Sequence, residues 1–349
     1  MNDERYIRQI RVPFVGEEGQ RRIGAARVVL LGCGALGTAA ANILARAGVG
    51  QLLIVDRDFV EPSNLQRQVL FDEADAHEGL PKAVAAERRL RAINSTIRIE
   101  GRVADAHPGN IEEFVRGATV VVDATDNFET RFLLNDACIK WDIPWVYGGA
   151  VGVEGMTMTI LPGRTPCLRC VFDSVPPPGL HPTCETAGIL AAATGVIGSW
   201  QANEALKICA GRPGDVRAQL LSIDLWTCEV RTFAIDRART PDCPCCGKRQ
   251  FEYLDAQATS TSTTLCGRDA IQLNPPPGAR LDLAELARRL TGASGVSELV
   301  QNPFLLRCRI PHSTGGTLEL ALFADGRAIV KGTRDTAVAR TAYAKYVGG

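Results

Sequence analysis

The chain has 349 residues, 46% of them hydrophobic, and its 39 Lys and Arg are matched by 39 Asp and Glu. That length and apolar share support the core of one large or two ordinary domains and exclude wholesale disorder. Zero formal charge removes any bulk electrostatic case for direct nucleic-acid binding or for an anionic membrane surface, and leaves only local arginine sites for phosphate.

The lead, MNDERYIRQIRV, is charged and lacks the apolar run of a signal peptide, so the cytoplasm is the expected location. There the 12 cysteines stay reduced, which favours metal binding or catalysis over disulfides. After a polar stretch and a first helix, residues 27–31 (RVVLL) read as an apolar strand, followed by a glycine-rich turn, a helix over 36–47 and a strand over 51–55 that ends at Asp56. This is a βαβ unit, the start of a doubly wound, mostly parallel sheet of Rossmann-like α/β type. A helix over about 80–93 opens with Pro81, where a missing N–H costs little. A strand over 119–123 and a helix over 128–140 continue the alternation. Residues 175–182 (VPPPGLHP) read as a crossing loop. The apolar stretch 186–210 contains Glu204 and Lys207 and is broken by Gly188, Gly195 and Gly198, so it reads as a buried helix and not as a membrane span. Residues 256–264 (AQATSTSTT) have linker composition. They separate a first domain, 1–255, from a small α+β domain over 265–349. Its expected order is a strand, a helix, two strands, a turn at Asp325-Gly326, a short strand and a closing helix.

Gly32, Gly34 and Gly37 form a GxGxxG turn between a strand and a helix, a place where backbone N–H groups meet phosphate. Asp56, 19 residues past Gly37, is placed to accept ribose hydroxyls. Taken alone, this pattern suits a dinucleotide-dependent oxidoreductase. The following segments point elsewhere. Ser63-Asn64-Leu65-Gln66-Arg67-Gln68, then Pro81-Lys82, then Ala124-Thr125-Asp126-Asn127 bring an amide, two cations and a carboxylate to the C-terminal edge of the same sheet. Cations and an amide suit a triphosphate, and a carboxylate suits Mg²⁺. A hydride-transfer site would leave these residues idle. Two CxxC pairs, Cys167 with Cys170 and Cys243 with Cys246, supply four thiolates for tetrahedral zinc at ~2.3 Å Zn–S distances. Cys245 is the extra thiol of the second pair and is left out of the set because it breaks the two-residue spacing.

The GCGALG turn, VDRD, SNLQRQ, the Pro-Lys pair and ATDN together resemble the ThiF/MoeB/HesA family of the ubiquitin-activating superfamily, over roughly residues 3–248. The resemblance implies an ATP-dependent adenylyltransferase. Its substrate would be the C-terminal glycine carboxylate of a ubiquitin-like sulfur-carrier protein ending in Gly-Gly, converted to an acyl-adenylate for later sulfur transfer. By the same resemblance Asp56 holds ribose, Asn64, Arg67 and Lys82 contact the phosphates, and Asp126 coordinates Mg²⁺. Arg8 matches an arginine that family members insert into the partner subunit's site, which implies a homodimer. The four thiols match a structural zinc site. Cys184 matches a cysteine that forms a thioester or acyl disulfide with the carrier in several members, a role that others dispense with. No rhodanese-like active-site loop is visible in the tail, so the sulfur donor is expected to be a separate protein. Two alternatives remain: a conjugating enzyme acting through a Cys184 thioester, and a non-catalytic binding subunit, against which the intact Arg8, Asn64, Arg67, Lys82 and Asp126 argue.

Overall fold

The apolar run Arg27–Leu31 forms β1, fully buried from Val28 onward, at the centre of an eight-stranded sheet. The structure is a computed structural model and describes residues 3–172, 174, 187–255, 262–264, 269–274, 279–312 and 315–348. It divides into two units, Met1–Ala76 with Lys82–Gln257, and His77–Pro81 with Ala258–Gly349.

In the first unit, α1 (Asp3–Ile10) and α2 (Gly16–Ile23) precede β1. Then follow α3 (Ala35–Ala47), β2 (Gln51–Asp56), α4 (Glu73–Glu78), α5 (Lys82–Ile93), β3 (Arg98–Val103), α6 (Ile111–Val115), β4 (Val120–Asp123) and α7 (Phe128–Lys140). The second half contains β5 (Trp145–Val151), β6 (Glu154–Ile160), α8 (Leu168–Val171), α9 (Ala191–Cys209), β7 (Gln219–Asp224), β8 (Glu229–Ala234) and α10 (Glu252–Asp255). The sheet order is β3-β2-β1-β4-β5-β6-β7-β8. Strands β3 to β5 pair in parallel, and β5 through β8 pair antiparallel. The parallel half is the doubly wound fold expected from the alternation of strand and helix. The antiparallel half, together with β3, α4 and α6, extends that expectation.

Helix α7 lies on the sheet in the main apolar core, where Phe132, Leu133 and Leu134 meet Val121, Trp145 and Tyr147. Helix α9 fills the apolar stretch foreseen for 186–210, starting later, at Ala191. No helix among the described residues is long and apolar enough to cross a membrane.

Among the described residues the second unit is a six-stranded antiparallel sheet with two helices. Its elements are β9 (Ser262–Thr264), β10 (Ala270–Leu273), α11 (Leu283–Leu290), β11 (Ser297–Gln301), β12 (Leu305–Pro311), β13 (Thr317–Phe323), β14 (Ala328–Lys331) and α12 (Thr336–Tyr346). Asp282 and Asp335 cap the two helices, and Leu286, Leu290, Leu306, Leu320 and Val330 share its core. The α+β composition matches the sequence reading, with two differences. Ser262–Thr264, read as the end of the linker, pair with Ile271–Leu273 as a strand, because alternating Ser and Thr suit an edge strand as well as a coil. Ser297–Gln301 is an additional edge strand.

Candidate functional site

Leu31 at the end of β1 stands opposite both Val55 of β2 and Asp123 of β4. The residues after these three parallel strands therefore leave the sheet at one edge. β1 and β4 are neighbours but not consecutive, so the chain reverses its winding between them. Open α/β sheets hold ligands in the crevice at such a point.

The three glycines of the first turn do different work. Gly32 has φ +89°, and a Cβ there would meet Ala124 O at 2.5 Å; a Cβ on Gly37 would meet Gly32 O at 2.3 Å. These two let the turn close on itself and against the loop after β4. At Gly34 a Cβ would find nothing nearer than Gln68 Nε2 at 4.0 Å. Gly34 is the N-cap of α3 and provides no side-chain cap, so the first N–H groups of the helix face the space above it.

Asp56 closes β2 behind this turn. Its Oδ2 accepts from Cys33 N at 2.6 Å and its Oδ1 from Asp58 N at 2.7 Å. Burial raises the carboxyl above its ordinary range, while Lys82 and the two amide donors pull it down. Lys82 begins α5 with its side chain almost fully buried. Its backbone N–H donates to Asp58 O at 2.9 Å, and its Nζ lies 3.3 Å from Asp58 Oδ2. Asn64 is buried and accepts from Glu61 N at 3.1 Å, while its carbonyl receives the amides of Arg67 and Gln68. The half-buried Arg67 donates from Nη1 to Ser63 O at 2.8 Å. Asp126 is exposed on the loop after β4. Burial opposes the charge of nearby Arg57, but the carboxylates of Asp105, Asp58 and Asp126 outweigh it and hold Arg57 well above its ordinary range.

The same edge contains residues that the motifs did not single out. Gln68 is 3% exposed, and its Oε1 has no partner among the described residues. It closes the SNLQRQ run, and that was the available signal. Asp58 stands two residues after Asp56 and anchors Lys82. Arg131, on α7, donates from Nη2 to Thr125 O at 2.7 Å and to Gly148 O at 3.1 Å, and its Nε lies 3.3 Å from the buried Asp123. Gln201, on α9, donates to Asp123 O at 2.6 Å and to Val146 O at 3.2 Å. Arg131 and Gln201 stand among other polar residues on their helices, so nothing in the sequence marked them out.

Arg8 lies elsewhere. It is exposed on α1, and α1 is fastened to the far ends of two helices. Gln9 Nε2 donates to Ala47 O at 2.9 Å, Arg5 Nη1 to Ile93 O at 2.9 Å, and Asn94 Nδ2 to Tyr6 Oη at 2.9 Å. Ala47 ends α3, and a helix of 13 residues is about 20 Å long. Arg8 is therefore separated from its own chain's glycine turn by the length of α3. Cys184 lies outside the described residues.

Cys167, Cys170, Cys243 and Cys246 converge, with their sulfurs all within 4.8 Å of one another. Adjacent pairs stand 3.8, 3.6 and 3.4 Å apart. A tetrahedron with ~2.3 Å metal–sulfur bonds has edges of ~3.8 Å, so the set has the size and donor chemistry of a zinc site. Cys245 is buried, and its Sγ is engaged by Asn135 Nδ2 at 3.1 Å.

The ThiF family matches residues 6–245. The chain is 43% identical over 344 residues to the sulfur carrier protein ThiS adenylyltransferase of Bacillus subtilis, covering 99% of each protein. It is 42% identical over 263 residues to the SAMP-activating enzyme E1 of Haloferax volcanii, covering 74% of this chain and 96% of that one. The fold resembles that of Escherichia coli MccB solved with ATP, with a TM-score of 0.61 and 24% identity over 70% of this chain and 75% of that one.

Proposed function

The chain belongs to the ThiF family, and from that premise we propose that it uses ATP to adenylate the C-terminal glycine carboxylate of a ubiquitin-like sulfur-carrier protein. The observation that carries the reading is the convergence of the uncapped start of α3, Asp56 and the buried Lys82 on one sheet edge, at the winding reversal.

Asp56 accepts the ribose hydroxyls, held in place by the Cys33 and Asp58 amides. The space over Gly34 takes the phosphates against the N–H groups of α3. Lys82 carries three donors, of which Asp58 takes one, leaving its charge for the phosphates. Asn64 and Arg67 complete the phosphate contacts from the SNLQRQ turn. Asp126 suits Mg²⁺, which binds through one or two carboxylates plus substrate phosphates. When bound, Mg²⁺ neutralises charge developing on the leaving pyrophosphate. An oxygen of the carrier carboxylate attacks the α-phosphorus; the new O–P bond forms as the bond to the β-phosphate's bridging oxygen breaks, and pyrophosphate departs. The nucleophile is already ionised at neutral pH, so no general base is required. Catalysis is positioning and stabilisation of charge.

Arg8 stands the length of α3 from its own turn, which supports its donation to a second protomer's site in a homodimer. The thiol quartet suits zinc in a structural role, because four thiolates leave no open coordination position. Sulfur would then reach the adenylate from a separate donor protein.

The test is ATP–pyrophosphate exchange with the Gly-Gly-ending ubiquitin-like proteins of the source organism. Exchange that depends on one carrier is expected. ATP binding with no exchange on any carrier would sink the carrier reading.

A further inference from the structure

Helix α7 begins at the nucleotide edge and runs to the thiol region, and its buried polar residues, Arg131, Asn135 and Asp136, are all engaged. At its start, Asn127 caps the helix by accepting from Thr130 N at 2.8 Å. One turn on, Arg131 grips the loop that carries Asp126 through Thr125 O and ties it to Asp123 and to β5 through Gly148 O. The next turn holds both cysteine pairs. Asn135, fully buried, accepts from Leu168 N at 2.9 Å in the first pair and donates to Cys245 Sγ at 3.1 Å in the second. Asp136 Oδ2 accepts from Tyr253 N at 2.9 Å, just beyond the second pair. Phe132 stacks on Tyr253 with ring centroids 5.0 Å apart, and the Arg169 guanidinium lies 5.6 Å from each ring.

We propose that α7 is a rigid link through which metal occupancy of the thiol quartet sets the position of the Asp126 loop and hence nucleotide affinity, with Asn135 as the positioning residue at the metal end. The argument is one of spacing. Arg131, which holds the Asp126 loop, and Asn135 are four residues apart on α7, about 6 Å along the helix axis. Two grips on a single regular helix leave no compliant joint between them. Asn135 also uses both ends of its amide, so each cysteine pair is oriented by the same side chain. Groups that orient metal ligands from behind typically change metal affinity by 10–100-fold when altered. With the metal bound, both pairs are fixed and α7 is seated on them. With the metal gone, four crowded thiols lose their common partner, Asn135 and Asp136 lose a fixed surface, and the start of α7 loosens with them. The link rests on the reading that Asp126 serves the nucleotide.

The test uses the full-length, zinc-loaded protein without carrier. Zinc is withdrawn stepwise by a chelator and followed with a colorimetric indicator. At each step the Kd for ATP is measured, together with amide hydrogen exchange at residues 124–130 and at Val28–Leu31. The expected result is an ATP Kd that rises in step with zinc loss, by about tenfold or more, with exchange quickening at 124–130 while β1 stays protected. Asn135→Asp keeps the acceptor for Leu168 N but removes the donor to Cys245 and adds charge beside the thiolates. It should release zinc at roughly tenfold lower chelator concentration. Zinc loss with an unchanged ATP Kd overturns the link. So does simultaneous loss of protection at both segments, which is global unfolding. Wild-type zinc retention in a folded Asn135→Asp overturns the role of Asn135; if that variant does not fold, the wild-type titration alone decides the link. Absence of ATP binding in the zinc-loaded wild type removes the nucleotide reading and the link together. ATP binding without carrier-dependent exchange removes only the carrier reading.

Discussion

The nucleotide edge and the thiol quartet are both read from short motifs, yet they are built in opposite ways. The quartet brings its four sulfurs together within 4.8 Å and satisfies the surplus Cys245 thiol from α7. Its donors all face one another. The nucleotide edge leaves space over Gly34, an unpartnered Gln68 Oε1 and an exposed Asp126. Its polar groups do not face one another but lie open along the edge. A site for a permanent structural ion can be closed, whereas a site for a substrate must keep polar groups open to it, at a cost in stability.

Substitutions sharpen that contrast. Asp126→Ala has the largest expected effect on chemistry. The residue is exposed and holds up no core, so thermal stability should stay near wild type while carrier-dependent exchange falls by about 100-fold or more. A comparable loss of stability would show that the loop is structural. Cys170→Ser should do the reverse, lowering the free energy of unfolding by an amount on the order of several kcal/mol in zinc-replete buffer. If stability is unmoved, the quartet holds no metal. Gly37→Ala and Gly34→Ala divide the contrast within one turn. The first drives a methyl to 2.3 Å from Gly32 O and is expected to cost about 2 kcal/mol or more in urea unfolding. The second meets nothing nearer than 4.0 Å, so stability should change by under about 1 kcal/mol, while the methyl intrudes on the phosphate space and weakens ATP binding. Equal stability losses would erase the distinction between them. Asn127→Ala, which removes the cap of α7, should cost about 1 kcal/mol, read by thermal melting, with ATP binding little changed.

The parallel half of the fold was legible because glycines and prolines punctuate it. β1 and α7 follow the expected bounds residue for residue, and α5 starts one residue after Pro81. The antiparallel half was not. β5 to β8 mix Gly, Thr and apolar residues, and β5 passes to β6 and β7 to β8 with no helix between, so neither period nor alternating element type marks them. β8 (EVRTFA) is exposed along its whole length, so its apolar residues mark no buried face. In the site, the motif residues Asp56, Asn64, Arg67, Lys82 and Asp126 lie along the expected edge, and the four thiols meet. Arg131, Asn135, Asp136 and Gln201 were invisible, because α7 and α9 carry exposed and buried polar residues side by side and only the partners tell them apart. Arg131 and Gln201 engage the strand ends, and Asn135 and Asp136 the cysteine segments. The oxidoreductase reading, which rested on the glycine turn and Asp56, gives way to family membership over residues 6–245.

The most direct test of the central claim is transfer of label from α-³²P-ATP to the carrier, with pyrophosphatase present to drive the reaction. The account predicts label on the carrier with the wild-type protein, none with Asp126→Ala, and none on a carrier whose terminal carboxyl is amidated. Label on the amidated carrier, or undiminished label with Asp126→Ala, would contradict it.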